Sequence, residues 1–142
     1  MNRRKSREFA LKVLYYIDVT GTDYSNAERD VIEMEDDETV LISEFASFLI
    51  KGVMDHVIEI DSIIEKYSIA WSLNRMSVID RSLLRLSIFE IGYSDDIPTS
   101  VSINEAVDLA HKFSTLDSGK FINGILGNYV RENKPSIELP ER

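Results

Sequence analysis

His56 and His111 are the two histidines of the chain. They stand far apart, with no metal-ligand spacing around them. Each therefore reads as an ordinary surface or half-buried imidazole rather than a ligand or a catalytic base. Cysteine is absent, which excludes thiol nucleophiles, disulfides and thiolate metal sites. No Gly-x-Ser-x-Gly elbow occurs. Ser118-Gly119-Lys120-Phe121 lacks the upstream glycine and the following Ser or Thr of a phosphate loop. Asp95-Asp96 fits turn chemistry better than an acid–base pair. The residue types thus assemble no catalytic constellation, no metal site and no cofactor site, and the chain reads as a binding protein rather than an enzyme.

What remains is charge and polar placement. Arg3, Arg4, Lys5, Arg7 and Lys12 face only Glu8 within the first twelve residues, a local charge of +4 in a chain of net charge −9. The remainder carries −13, and residues 23–44 alone hold nine acids against Arg29. Taken whole, such a balance argues against nucleic acid, whose usual binders are basic domains. Taken locally, the basic start could hold a phosphate backbone if it points away from the acidic stretch, or it could be a solvated leader. Asn104 and Asn123 sit in apolar helical patterns, where each either bonds a neighbouring loop or faces a ligand. Residue type favours the structural bond. Gly124-Ile125-Leu126-Gly127 has the spacing of a KH-domain clamp, but its apolar centre suits close helix packing.

The elements that must carry these residues are helical. Proline occurs only at 98, 135 and 140. Phe9, Val13 and Ile17 give an amphipathic first helix ending before Gly21. Ile42, Phe45, Leu49 and Val53 give another, and Ile60, Ile63, Ile64 and Tyr67 continue after a break near Gly52–His56. Residues 78–93 are apolar on too many sides for one stripe, so this helix belongs at the centre. Ser77-x-x-Asp80 and Ser102-x-x-Glu105 read as capping boxes. Asp117-Ser118-Gly119 reads as the cap of a last helix running to about Arg131. Residues 94–101 form a loop, Trp71 anchors the core, and the tail from Asn133 is disordered. No stretch is long and apolar enough to span a membrane, and charged residues interrupt any signal-peptide core. The sequence predicts an all-α protein of about seven helices, mature and cytoplasmic.

Asp96-Ile97-Pro98, Val101 to Ala110, Lys112-Phe113 and Asp117 to Leu126 together resemble the C-terminal signature of the NusB family of transcription antitermination proteins. Arg4, Arg7, Ala10, Leu14 and Tyr15 match the family's arginine-rich first helix. Asp80 to Leu86, with Phe89-Glu90, match its central helix. The resemblance covers residues 3–130 and implies two packed three-helix bundles, about 1–70 and 71–132, in one domain. It implies a non-enzymatic factor that binds boxA RNA together with ribosomal protein NusE and joins the RNA polymerase antitermination complex. Under that resemblance Arg3, Arg4 and Arg7 hold RNA phosphates, and Lys12 adds to the basic face. Lys120 contacts phosphate and Phe121 stacks on a base. Asp117 accepts from a base edge or caps its helix. Tyr15 and Asp80 face NusE. Self-pairing as a homodimer stays open. The alternatives are a helical adaptor that binds basic ribosomal protein without RNA specificity, and a stand-alone relative of the RNA-binding module of an rRNA methyltransferase.

Overall fold

The apolar spacing of the first residues becomes helix α1 (Arg3–Thr20) in the computed structural model, which describes residues 2–35, 42–69 and 71–133. Phe9, Ala10, Leu11, Val13 and Leu14 are buried on its inner face. The Asn2 side chain caps α1 by accepting from the Lys5 amide at 2.8 Å. Gly21 stops it in the left-handed region, with φ 76°. A Cβ at Gly21 would meet nothing within 4 Å, so the cost of adding one is purely conformational. Gly21→Ala is expected to lower stability by about 1–2 kcal/mol, and Gly21→Asn by less, in urea titrations.

The acidic stretch contains α2 (Tyr24–Met34), capped by Asp23, whose side chain accepts from the Asn26 amide at 3.0 Å. Only Ala27 and Val31 are buried on it. So narrow a stripe explains why the pattern in sequence did not announce a helix. Residues 36–41 of that stretch lie outside the described residues. Helix α3 (Glu44–Asp55), capped by Ser43, and α4 (Val57–Tyr67) are separated at His56, within the expected break. His56 Nδ1 lies 2.9 Å from the Gly52 carbonyl. A 3₁₀ turn (Leu73–Arg75) leads into α5 (Val78–Tyr93), followed by α6 (Thr99–Phe113) and α7 (Leu116–Asn133). Among the described residues there are seven α-helices and no strand.

Helix α5 occupies the centre expected of it and packs against α1, α3, α4, α6 and α7. One apolar cluster runs from Phe9 on α1 to Val130 on α7. Two ion pairs fasten α5 laterally. Arg81 holds Asp18 of α1 at 2.8 Å, and Arg85 holds Asp61 of α4 at 2.8 Å.

Several local expectations are corrected. Ser77 caps α5 as expected, its hydroxyl accepting from the Asp80 amide at 3.1 Å. Ser102 does not open α6. The helix begins at Thr99, because the Pro98 carbonyl already accepts from Val101 and Ser102. The loop after α5 is correspondingly shorter than 94–101. Asp117-Ser118-Gly119 is not the cap of α7. Thr115 takes that role, its hydroxyl accepting from the Ser118 amide at 3.0 Å. Trp71 is 51% exposed rather than a core anchor. Gly124 approaches nothing within 4 Å of an added Cβ, and Gly127 meets only the Arg131 side chain. The close approach lies instead at Gly119, where a Cβ would fall 2.4 Å from the His111 ring. Asn133 ends α7 with its amide on the Tyr129 carbonyl and the Tyr67 hydroxyl. The rest of the tail lies outside the described residues.

Candidate nucleic-acid interface

Positive charge at the start of a helix opposes its dipole, so the basic cluster of α1 needs compensation from elsewhere. The fold supplies it from α5 and α6. Arg4 makes a two-pronged contact with Glu105 of α6 at 3.2 and 2.6 Å and reaches Asp108 at 3.3 Å. The Glu105 bond raises the Arg4 pKa above its ordinary value, keeping the guanidinium charged. Arg3 pairs with Asp96 at 3.5 Å and lies 4.4 Å over the Phe45 ring. Lys12 reaches Glu35 at 3.4 Å. Lys112 of α6 pairs with Glu8 at 3.0 Å. Lys5 is exposed, with no ion pair among the described residues.

Arg7 is different. Only 6% of it is exposed, and its guanidinium donates to both oxygens of Glu90 at 2.7 and 2.9 Å. Glu90 also accepts from the Ser102 hydroxyl at 2.5 Å, and Glu105 stands 3.5 Å away from Arg7. This is the reason for Ser102 inside α6. It completes a buried charge network that joins α1, α5 and α6. The expectation that Arg7 holds RNA phosphate is therefore corrected, since a buried and fully engaged guanidinium offers no face to a backbone outside.

At the start of α7, Asp117 and Lys120 are exposed and Phe121 is half-buried. Asp117 lies in the first turn without being the cap, where its charge still suits the helix dipole. Lys120 has no ion pair among the described residues. Asn104 and Asn123 are both exposed and make no side-chain hydrogen bond among the described residues, which corrects the expected structural bond.

Two grooves flank the start of α5, and Ser77 lines both. The larger, about 700 Å³, lies between α1, α2 and the end of α6 and is mostly apolar. Tyr15 lines it and is 42% exposed, beside Met34, Ile79 and Phe113. Tyr16, also on its wall, donates its hydroxyl to Asp30 at 2.8 Å. That bond to a carboxylate raises its pKa and keeps the phenol protonated. The smaller, about 240 Å³, is lined by Trp71, Arg75, Asp80, Asp117, Ser118 and Phe121, with Met76 and Ser77 beneath. Tyr15 and Asp80 are therefore not on one groove. The Asp80 carboxylate accepts from Ser118 at 2.9 Å, and its other oxygen is buried without a partner. Asp80 is part-buried and lines the smaller groove, apart from Tyr15. Trp71 and Arg75 were missed as surface residues. The signal available was an aromatic and a cation, four residues apart, in a short polar connection between helices.

His56 packs 4.6 Å from the Tyr93 ring and His111 against Gly119. Among the described residues no three His, Cys, Asp or Glu side chains are grouped to hold a metal ion, and no helix is long and apolar enough to cross a membrane.

The fold defines the class: an all-helical binding protein with an apolar groove and a neighbouring cationic–aromatic surface. The family model described as NusB family matches residues 4–131, and the chain belongs to that family. It is 47% identical to transcription antitermination protein NusB of Desulforamulus reducens, over 94% of this chain and 92% of that one. It is 40% identical to the protein of the same name from Symbiobacterium thermophilum, over 99% and 97%. A solved structure of the antitermination factors NusB and NusE in complex with dsRNA superposes with a TM-score of 0.82. That likeness has 30% identity over 92% of this chain and 96% of the other.

Proposed function

We propose that this chain is a transcription antitermination factor of the cytoplasm. In this reading it binds boxA-type RNA together with NusE and enters the RNA polymerase antitermination complex as a binding module without catalysis. The helices act as one domain of two bundles over 1–132. The observation that carries the reading is the start of α7, where Lys120 is exposed with no ion pair among the described residues and the next residue, Phe121, lines the smaller groove. An exposed cation and an aromatic ring within one helical turn are what an unpaired base and its phosphate require. Asp117, exposed beside them, accepts from a base edge. Arg3, Arg4 and Lys12, each with an exposed side chain, form a second phosphate contact, reached by exchanging their carboxylate partners for phosphate. Arg7 contributes by holding α1 in place. NusE takes the apolar groove at Tyr15, whose Met34, Ile79 and Phe113 lining offers it an apolar surface.

The test is a gel-shift titration of boxA RNA and a scrambled RNA, with and without NusE. Tighter binding of boxA in the presence of NusE is expected, and equal affinity for the two RNAs sinks the reading. Lys120→Gln should flatten the salt dependence by about 0.7 in log–log slope. Phe121→Leu, which preserves the packing side of the ring position, should cost ~1–3 kcal/mol of RNA binding with folding intact. A tight NusE complex with no RNA binding points instead to a protein-only adaptor.

A further inference from the structure

The smaller groove holds two residues that the reading above does not use. Trp71 stands between α4 and the 3₁₀ turn, half-exposed, with its backbone carbonyl held by the Ser68 hydroxyl at 2.6 Å. Arg75 ends the 3₁₀ turn, exposed. Arg3, Arg4, Arg7, Arg81 and Arg85 are each tied to a carboxylate, but Arg75 has no ion pair among the described residues. The two residues share one cavity with Phe121, and at about 240 Å³ it has the volume of roughly eight waters at ~30 Å³ each. That is the scale of a single planar base. Asp117, exposed, lines the same groove with a carboxylate.

We propose that this cavity takes one unpaired nucleotide of bound single-stranded RNA, its base stacked on Trp71 and its phosphate held by Arg75. The proposal rests on the RNA-binding reading and extends it by one position beyond Phe121. Stacking tolerates any base, because every base has a π-face. Arg75 adds a planar, permanently charged fork suited to phosphate, and it can also lie flat on a base. The exposed carboxylate of Asp117 favours a base edge that donates N–H. A basic protein segment fits less well, because Arg75 lines the same groove.

Trp71 is the single tryptophan of the chain, so its emission reports this position alone. The full chain is titrated with single-stranded boxA RNA while a gel shift follows binding independently. Quenching that saturates with the gel shift is expected. Trp71→Ala should weaken binding by about 5- to 150-fold and Trp71→Phe by much less. Arg75→Gln should reduce the salt slope by about 0.7. Helicity by circular dichroism checks that each variant folds. If RNA shifts while emission stays constant, or if Trp71→Ala binds RNA like the parent, this position is overturned and the wider reading stands. If no RNA shifts, even with NusE, both are overturned.

Discussion

Arg7→Ala is expected to cost about 3–5 kcal/mol of folding stability. The single change removes one member of a buried pair and leaves Glu90, 2% exposed, as an uncompensated charge facing only the Ser102 hydroxyl. Desolvation dominates this cost, because a carboxylate taken out of water needs its partner in place. Arg4→Ala provides the contrast. Arg4 is well exposed, so its pairs with Glu105 and Asp108 contribute little, and the variant should remain near parental stability. Replacing both buried partners by apolar residues, as in Arg7→Met with Glu90→Leu, should recover most of the loss, since no buried charge is then stranded. Equilibrium urea unfolding of the three variants checks the order. If Arg7→Ala unfolds like the parent and only loses RNA affinity, the network is not what fixes α1 on α5 and α6.

The second large effect is at Gly52. A Cβ there would fall 1.9 Å from the tip of the Phe89 ring and 2.4 Å from its two flanking carbons. The ring is 2% exposed and is packed against Phe48 at 5.2 Å and Tyr93 at 4.8 Å, so it has nowhere to swing. Alanine would otherwise gain about 1 kcal/mol over glycine within a helix. Overpacking of this severity outweighs that gain, and Gly52→Ala is expected to lose at least ~2 kcal/mol. Shortening the obstacle tests the cause. Gly52→Ala combined with Phe89→Leu should be more stable than Gly52→Ala alone, a coupling read from a double-mutant cycle in urea. Additive costs would place the strain elsewhere.

Both effects arise from residues that the sequence displays without explaining. Arg4 and Arg7 are equivalent in the linear pattern, three residues apart in one basic run. Their difference depends on Glu90 and Ser102, which reach α1 only once α5 and α6 are packed on it. Gly52 stood out only as a place where a helix breaks, and that break is real. Its second role depends on the Phe89 ring lying across it. Among the candidate site residues, Asp117, Lys120 and Phe121 emerge together at the start of α7 as the sequence grouped them. Tyr15 and Asp80 separate, each lining a different groove beside the start of α5. Trp71 was read inward because most tryptophans are buried, and Arg75 carries no motif that distinguishes it from a solvated cation.

The helical class, the central place of α5, the Ser77 cap and the membership of the NusB family are all written in residue order. Periodicity, caps and the long C-terminal signature are local properties of a chain. Which charges stay free was decided by the tertiary structure alone. Packing brings Glu90, Asp96, Glu105 and Asp108 against the basic run of α1, and it leaves Lys120 exposed and Arg75 in a groove with the exposed Trp71. A charge in a sequence has only its type, whereas its availability depends on burial and on carboxylates a hundred residues away, which come within range only when the helices close on one another.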